Sequence, residues 1–283
     1  MEIMEEKYHK IKKIGEGATA EVWLVQECAT DRLFAVKVSE QEELLAMEAK
    51  ILERINYRAF PKVKEYVGQQ KALVMEYVDG HSLQEILDRG QEFNLREILY
   101  IMEEVLEALN VLHIQAEPII YRDIKPTNIM VERSGRVRLV DFGAAYISSK
   151  NRNEETEMRP AGTYGYGAPE QFWTGVVPSI RCDVYGAGKV LAYLLSGKNP
   201  AIPPYNMEQY CMGSKRVPIA FQRILERSLA TDPLARYEDC ISMRRDLRKA
   251  YEECSKKSLF KLHKKTSVNY IKCIWLSEYR RLF

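Results

Sequence analysis

The sequence lacks a cysteine framework. Its six cysteines stand at positions 28, 182, 211, 240, 254 and 273, and no two of them form a CxxC pair. Scattered cysteines of this kind fit reduced thiols better than the dense disulfides of small secreted proteins. The first residues, MEIMEEKYHKIKK, are acidic where a signal peptide has a basic start and then an apolar run. The sequence therefore predicts a soluble protein that stays in the cytoplasm.

Long hydrophobic runs and a strong charge of one sign are also missing. No stretch reaches the roughly 20 apolar residues that a membrane-spanning helix needs. The 42 basic and 40 acidic residues nearly balance, which gives no general reason to expect nucleic acid as a partner. No internal repeat or low-complexity segment is present. The 283 residues, 46% of them hydrophobic, can bury a sizeable core in one domain or two lobes.

Short segments rich in aromatic and β-branched residues come first. They predict a small antiparallel sheet with strands at 8–14, 21–27, 33–39, 63–68 and 73–77. One helix is predicted at 40–55, where a single stripe carries Leu44, Ile51, Leu52 and Ile55. Glu48 falls within this stripe, so we expect its carboxylate to be buried and to need a cationic partner.

A helical pattern follows a linker-like segment at 78–82. Asn94 and Glu97 resemble a capping box that opens a long helix with an apolar face. A hairpin is predicted at 129–131 and 137–140, and a long loop at 147–163. Three further helices are predicted at 180–196, 217–229 and 238–254. The chain is thus sheet-rich at first and helix-rich afterwards, and a cleft between two such parts is a natural ligand site.

Two glycines stand between the first two predicted strands, in IGEGATAEVWLV at 14–25. Without side chains, Gly15 and Gly17 let backbone amides approach a phosphate closely, although an ordinary hairpin turn explains them equally well. Lys37 ends the sequence AVK in the third predicted strand. Such a lysine can reach a phosphate as a point charge, and Glu48 is available as its partner.

The most specific signal lies in two motifs that follow each other closely: IIYRDIKPTNIMV at 119–131 and VDFGAA at 140–145. Four polar side chains, Asp123, Lys125, Asn128 and Asp141, cluster at the start and end of the predicted hairpin between apolar strands. Asp-Phe-Gly alone is as often an ordinary turn. At this spacing after Arg-Asp-Ile-Lys-Pro-Thr-Asn, it favours a shared site.

With these motifs the chain resembles the eukaryotic-type (Hanks-type) serine/threonine protein kinases over about residues 8–250, and the compact domain looks somewhat bacterial. The resemblance implies an α+β, two-lobed fold. A small antiparallel β-sheet lobe with one helix would occupy about 8–77, and a larger, mainly helical lobe about 78–250. Residues 251–283 would form a basic C-terminal tail.

The resemblance also implies ATP and Mg²⁺ and gives roles to the motif residues. Asp123 would accept the proton of a substrate hydroxyl, Lys125 would steady the transferring phosphoryl group, and Thr163 would contact both. Asn128 and Asp141 would bind Mg²⁺ through hard oxygen ligands. The residues expected to contact ATP are Ile14, Gly15, Gly17, Val22, Ala35, Lys37, Glu48, Met75, Glu76, Val78 and Met130.

Within that set the glycines would cover the phosphates, and Lys37 would hold them. The adenine would lie between Val22, Ala35 and Met130, with the 76–78 backbone as a hinge and Met75 as the gatekeeper. Plain core packing is an alternative reading of each of these apolar positions.

A segment at 162–172, GTYGYGAPEQF, resembles the end of an activation segment and therefore argues for a protein substrate. Lys125 together with Thr163 resembles the serine/threonine branch more than the tyrosine branch. Glu170 is expected to pair with Arg236 in a buried structural contact. Arg122 hints at control by phosphorylation within the loop, and the candidate sites, left unranked, are Ser148, Ser149 and Thr156.

The chain departs from the family pattern at four points. Tyr121 stands where the family usually has His, and Ala20 where many members have a third Gly. Lys37 and Glu48 are only eleven residues apart, which requires a tight lead-in to the helix. Lys189 places a charge in a helix that is normally apolar, and the sequence offers no account of it.

The tail leaves its role open. From Ser255 onward it carries eight Lys or Arg and one acid, Glu278, together with apolar residues. A solvated helix packed on the kinase is favoured over contact with an anionic membrane surface or a partner.

Three alternatives to an active protein kinase remain: a pseudokinase, a small-molecule kinase, and a nucleotide-binding scaffold that acts through the tail. The lysine, the base and both metal ligands argue against the first, and Arg122, Lys125 and the 162–172 segment against the second. The expected partners are protein substrates with Ser or Thr hydroxyls, and a second copy of the chain if it phosphorylates itself.

Overall fold

A computed structural model describes residues 6–17, 20–148, 160–203, 211, 214 and 216–259. Strands occupy β1 (Tyr8–Glu16), β2 (Ala20–Glu27), β3 (Leu33–Ser39), β4 (Val63–Val67), β5 (Ala72–Glu76), β6 (Gly80–Ser82), β7 (Ile119–Ile120), β8 (Ile129–Glu132), β9 (Val137–Leu139) and β10 (Tyr146–Ile147). Helices occupy α1 (Glu42–Arg54), α2 (Leu83–Asp88), α3 (Leu95–His113), α4 (Ile180–Ser196), α5 (Ile219–Ser228) and α6 (Cys240–Leu259). Single 3₁₀ turns lie at Gly68–Gln70, Pro126–Asn128, Pro169–Phe172 and Pro233–Ala235.

The small lobe is an antiparallel sheet with strand order β1-β2-β3-β5-β4, and α1 packs against it. The five predicted strands are confirmed to within a few residues. Two pairings prepare the site. Val22 lies opposite Lys37 between β2 and β3, and Ala35 lies opposite Met75 between β3 and β5. Lys37 therefore stands beside the glycine-containing turn, in the middle strand of the sheet.

Helix α1 buries a different stripe from the one predicted. Leu44 is 50% exposed, whereas Leu45 is 1% exposed, so the prediction of Leu44 as a core residue was wrong. Leu45, Glu48 and Leu52 follow the i, i+3, i+7 spacing of one helical face, and Leu44 lies one residue outside it. Glu48 is 1% exposed, which confirms that its carboxylate is buried.

The large lobe is built on α3, α4 and α6, which pack together. Asn94 begins α3 with the predicted capping box: Glu97 N donates to Asn94 Oδ1 at 3.1 Å, and Asn94 N donates to Glu97 Oε2 at 2.9 Å. The predicted helices at 180–196, 217–229 and 238–254 are confirmed, and the last one continues to Leu259. No helix in the described part of the chain is long and apolar enough to cross a membrane.

The linker-like segment at 78–82 turns out to contain a strand. Gly80–Ser82 pairs antiparallel with β8, so that Gly80 lies opposite Glu132 and Ser82 opposite Met130. A Cβ on Gly80 would lie 2.4 Å from the Val131 carbonyl oxygen, so only glycine permits this approach. Ser82 then caps α2 by accepting from Glu85 N at 3.1 Å. The connection between the lobes is therefore fastened to the β8–β9 hairpin.

One hydrophobic core runs through both lobes. It joins α1 and β5 to α3, α4 and the β8–β9 hairpin. At its centre the Phe142 ring lies edge-on to Phe60 at 5.3 Å and to Tyr121 at 5.1 Å. Phe60 comes from the loop after α1, and Tyr121 follows β7, so this stack ties the small lobe to the loop that follows α3. The predicted α+β, two-lobed fold is confirmed.

Candidate active site

Lys37, Glu48 and Asp141 meet at the junction of the two lobes. Lys37 Nζ lies 2.6 Å from Glu48 Oε2 and 2.7 Å from Asp141 Oδ1. Desolvation opposes the charge on Lys37, but the two carboxylates outweigh it and raise the pKa of the ammonium group. Desolvation likewise opposes ionisation of Asp141, and Lys37 nevertheless holds the pKa of this carboxyl below its ordinary value. The buried Glu48 thus has the cationic partner that its burial required.

The Asp-Phe-Gly turn is shaped by this cluster. Asp141 has a φ of 64°, which is uncommon for a residue with a side chain. Gly143 N donates to Asp141 Oδ1 at 3.2 Å, and a Cβ at Gly143 would lie 3.1 Å from Lys37 Nζ. Phe142 N donates to Glu48 Oε1 at 2.9 Å. The turn therefore points Asp141 into the cleft and Phe142 into the core.

Asp123 lies in a second polar cluster. Its Oδ1 accepts from Thr163 Oγ1 at 2.6 Å, and its Oδ2 lies 2.8 Å from Lys125 Nζ. Lys125 Nζ also donates to Thr163 Oγ1 at 2.9 Å. Asn128 Nδ2 donates to the Asp123 carbonyl oxygen at 2.9 Å and to its Oδ2 at 3.0 Å. The structure thus brings the Thr163 hydroxyl to the carboxylate of Asp123 and the ammonium of Lys125, which lie about 40 residues earlier in the chain.

The loop that carries Asp123 is held from below by α4. Asp183, which is fully buried, accepts from Tyr121 N at 2.8 Å and from Arg122 N at 2.7 Å. His113, at the end of α3, lies 2.8 Å from the same carboxylate through its Nε2. Sequence reasoning missed His113. A histidine on the buried face of a predicted amphipathic helix was the available signal, but nothing in the sequence pairs it with Asp183.

Two of the residues that depart from the family pattern now have partners. The Tyr121 hydroxyl donates to the Val140 carbonyl oxygen just before the Asp-Phe-Gly turn, while its ring packs on Phe142. Lys189 is buried, and its ammonium lies 5.3 Å from the centre of the Tyr185 ring. The face of the Tyr185 ring thus offers the buried Lys189 ammonium a cation–π contact.

The 162–172 segment is fixed to the large lobe by a buried ion pair. Arg236 donates to Glu170 through Nη1 at 2.6 Å and Nη2 at 2.8 Å, which is the bidentate geometry that favours arginine. Burial opposes ionisation of Glu170, but Arg236 outweighs it and lowers the pKa of this carboxyl. Gln171 also donates to the Arg122 carbonyl oxygen at 2.8 Å. The segment thereby holds Thr163 against Asp123.

The apolar residues named for ATP lie on or next to strands of the small lobe and the β8–β9 hairpin, and they differ in burial. Ala35, Met75 and Val78 are buried, while Val22 and Met130 are partly buried and Ile14 is exposed. Gly17 N donates to the Ala20 carbonyl oxygen at 2.9 Å, which closes the hairpin around Gly15 and Gly17. Residues 18 and 19 lie outside the described residues, as do Ser149 and Thr156.

The donors available for a metal ion fit magnesium. Within the described residues no group of three or more His, Cys, Asp or Glu side chains comes together as a self-sufficient metal site. Asp141 offers carboxylate oxygens. Asn128 turns its Nδ2 to Asp123, and its Oδ1, which accepts a long 3.4 Å contact from Thr127 Oγ1, is the atom that would bind a cation. Hard oxygen donors, one or two from protein and the rest from phosphates and water, suit Mg²⁺. We therefore expect Mg²⁺ to enter with a polyphosphate.

Comparison with known proteins agrees with this arrangement. A model of the protein kinase domain family matches residues 8–261. The chain is 28% identical over 268 residues to the serine/threonine-protein kinase PrkC of Bacillus subtilis, covering 87% of this chain and 41% of PrkC. It is 30% identical over 270 residues to the probable serine/threonine-protein kinase PknB of Lactococcus lactis, covering 87% and 42%.

A mycobacterial relative gives the same picture. The chain is 28% identical over 286 residues to the serine/threonine-protein kinase PknB of Mycolicibacterium smegmatis, covering 88% of this chain and 44% of that protein. The chain thus spans less than half the length of these bacterial relatives.

Proposed function

The chain belongs to the protein kinase domain family, and on that premise we propose that it transfers the γ-phosphoryl group of Mg²⁺-bound ATP to Ser or Thr hydroxyls of other proteins. One observation carries most of this proposal: Asp123, Lys125 and Thr163 form a closed set of hydrogen bonds within 3 Å at the mouth of the cleft. A carboxylate base beside a fixed cation is what transfer to a hydroxyl requires.

In the second polar cluster, Asp123 acts as the base and Lys125 supplies positive charge. Asp123 accepts the proton of the attacking hydroxyl. Lys125, held by Asp123 and Thr163, lies where it can offset negative charge on the phosphoryl group as it moves. Thr163 holds both side chains in register, so the acceptor hydroxyl enters a preformed site.

The cluster of Lys37, Glu48 and Asp141 binds the nucleotide. Lys37 presents its ammonium to the phosphates, and Glu48 holds Lys37 from the side of α1. Asp141 and Asn128 would hold Mg²⁺, which neutralises phosphate charge when it is bound. The hydrophobic sides of the cleft, Ala35, Met75 and Val78, exclude water from the adenine. Each of these residue roles is part of the proposal.

Two features support a protein acceptor and the Ser/Thr branch. The 162–172 segment packs next to Asp123 through Thr163, and the Glu170–Arg236 pair ties it to the segment between α5 and α6. Such a platform can bind an extended peptide whose hydroxyl reaches Asp123. The bacterial relatives are named serine/threonine kinases, which favours this acceptor class over tyrosine.

Several finer expectations are carried forward as proposals. We propose that the kinase domain ends near residue 250, that the chain acts in the cytoplasm, and that it phosphorylates its own loop. For the basic tail we propose packing on the kinase, with contact to an anionic membrane surface or a partner as the alternative. The composition of the tail supports this proposal, and residues 260–283 lie outside the described part of the chain.

Phosphotransfer to a generic basic protein tests the proposal. The purified chain is incubated with Mg²⁺, γ-labelled ATP and the acceptor, and mass spectrometry locates the label. We expect phosphoserine or phosphothreonine, and none with Asp141→Ala. A pseudokinase would bind ATP without transferring phosphate, and a chain that binds no ATP would contradict the proposal altogether.

A further inference from the structure

A buried arginine lies behind the cleft, outside the catalytic set. Arg138 in β9 is 3% exposed, and its guanidinium is held by two carboxylates. Nη2 lies 2.8 Å from Glu76 Oε2, and Nη1 lies 2.8 Å from Glu132 Oε1. Arg136 completes the group with a 2.7 Å contact to Glu132 Oε2. These four residues, Glu76, Glu132, Arg136 and Arg138, are called the Arg138 cluster, and their formal charges cancel.

The Arg138 cluster joins parts of the chain that are far apart in sequence. Glu76 ends β5 of the small lobe, whereas Glu132 and Arg138 belong to the β8–β9 hairpin of the large lobe. Arg138 Nη2 also donates to the Phe60 carbonyl oxygen at 2.8 Å, in the loop that follows α1. One guanidinium therefore contacts the strand before the linker, the loop after α1, and the hairpin.

The hairpin that carries Arg138 also carries both proposed Mg²⁺ ligands. Asn128 directly precedes β8, and Asp141 follows β9 by two residues. The linker at 77–79 is fastened to the same hairpin at both ends. Its first end is held by Glu76 through Arg138, and its second by the pairing of Gly80 with Glu132. The linker backbone, where the adenine binds, and the Mg²⁺ ligands thus share one rigid support.

The electrostatics of the Arg138 cluster favour a permanent contact. Burial opposes the charge on Arg138, but Glu76 and Glu132 outweigh it and raise the pKa of the guanidinium. Burial likewise opposes ionisation of Glu76, while Arg138 lowers the pKa of its carboxyl. Both groups stay charged near neutral pH. A bidentate arginine is also stiffer than a lysine would be at this place.

We propose that Arg138 is a positioning residue for the nucleotide: it fixes the 77–79 linker at a set distance from Asn128 and Asp141, so that adenine and phosphates are bound in register. The proposal rests on the proposed function, because it assumes that ATP occupies the cleft. Its consequence is selective. Loss of Arg138 weakens nucleotide binding, whereas Asp123, Lys125 and Thr163 keep their own contacts and the transfer step is retained.

The test compares Arg138→Met and Arg138→Lys with Arg133→Met. Arg133 lies on the same hairpin and pairs with Asp79 at 3.3 Å, but the two side chains are 51% and 59% exposed. Calorimetry measures the affinity for Mg²⁺-ATP and for adenosine, and steady-state assays give KM and kcat. We expect Arg138→Met to weaken both ligands by about tenfold, the scale of an outer support residue. The KM for ATP should rise by the same factor while kcat is retained.

Three other variants complete the comparison. The affinities of Arg138→Lys should lie between those of Arg138→Met and the unmodified chain, because lysine keeps the positive charge but cannot make a bidentate contact. Arg133→Met should bind both ligands normally. If Arg138→Met fails to fold, Glu76→Gln takes its place, because it leaves Arg138 paired with Glu132. We expect Glu76→Gln to weaken adenosine binding severalfold. Hydrogen exchange should quicken at the 77–79 amides in each variant that binds weakly.

Several outcomes would overturn the proposal. The first is unchanged affinity for both ligands in Arg138→Met and in Glu76→Gln. The second is a loss of affinity for Mg²⁺-ATP while the affinity for adenosine stays the same. The third is a lower kcat with an unchanged KM, which indicates a general loss of folded protein. These outcomes are distinct from failure of the proposed function, in which the unmodified chain itself binds no nucleotide.

Discussion

Lys37 Nζ lies 2.6 Å from Glu48 Oε2, although only eleven residues separate the two along the chain. The short spacing is accommodated because α1 begins at Glu42, three residues after β3 ends at Ser39. The connection from β3 to α1 is therefore short, and Lys37 and Glu48 form a direct ion pair. Under the proposed function, this ion pair holds Lys37 where the phosphates of ATP would bind.

Replacing Lys37 by Met should remove this arrangement. We expect the phosphotransfer rate to fall by about a hundredfold or more, because a fixed cation near the phosphates is lost from a water-excluded site. Glu48 would also lose its nearest cation. Steady-state kinetics measure the effect, with Lys71→Met as the control because Lys71 makes an exposed pair with Glu40. Equal rates in the two variants would contradict the role given to Lys37.

The Thr163 hydroxyl should matter more than the Thr163 methyl. It donates to Asp123 Oδ1 at 2.6 Å and accepts from Lys125 Nζ at 2.9 Å. Thr163→Ser keeps both contacts, so we expect activity within a fewfold of the unmodified chain. Thr163→Val keeps the shape and loses both contacts, and kcat should fall by about tenfold or more. If Val and Ser behave alike, Thr163 has no part in positioning Asp123 and Lys125.

Tyr121 should contribute through both its ring and its hydroxyl. Tyr121→Phe keeps the packing on Phe142 and removes the donor to the Val140 carbonyl oxygen. We expect the free energy of unfolding to fall by about 1 kcal/mol, because a buried acceptor loses its partner. Urea denaturation measures the change. Tyr164→Phe is the control, since Tyr164 is 73% exposed. A loss of stability of the same size in this control would contradict a specific contribution from the Tyr121 hydroxyl.

The Glu170–Arg236 pair predicts how stability depends on pH. The folded-state pKa of Glu170 lies below its ordinary value of 4.5, so its contribution is complete above that pH and is lost as the pH falls through the lower, folded value. Glu170→Gln should therefore cost about 3 kcal/mol at pH 7 and clearly less near pH 3. Urea unfolding at the two pH values measures this difference.

The exposed Arg54–Glu117 pair provides the comparison for Glu170. Glu117→Gln removes a carboxylate that lies 3.0 Å from Arg54 but remains about half exposed, and it should change stability by less than about 1 kcal/mol. A cost for Glu170→Gln that is the same at both pH values would show that Arg236 gains nothing from the charge of Glu170.

The sequence predicted the parts of the fold that depend on local patterns. The strands of the small lobe follow from alternating β-branched residues, and the start of α3 follows from the Asn94–Glu97 capping box. The burial of Glu48 could also be predicted, because a residue within the apolar stripe of a helix faces the core. The choice of Leu44 over Leu45 failed because two adjacent leucines fit the 3.6-residue period almost equally well.

Contacts between distant segments could not be predicted in this way. The pairing of Gly80 with Glu132 depends on how closely two backbones approach, and Gly80 in Val-Asp-Gly-His-Ser resembles any turn glycine. Arg138 is one charged residue in a short strand, and its two carboxylate partners come from β5 and β8. His113 meets Asp183 across 70 residues. Such pairs arise from tertiary packing, which no local spacing encodes.

The most direct test of the whole account replaces Asp123 by Asn and follows one quantity, the rate of phosphate transfer from Mg²⁺-ATP to a Ser- or Thr-containing acceptor. Calorimetry first establishes that the variant binds Mg²⁺-ATP as tightly as the unmodified chain does. The account predicts that the rate then falls by about 10²- to 10⁴-fold, because the general base is lost while the binding groups remain. An unchanged rate at equal affinity would contradict it.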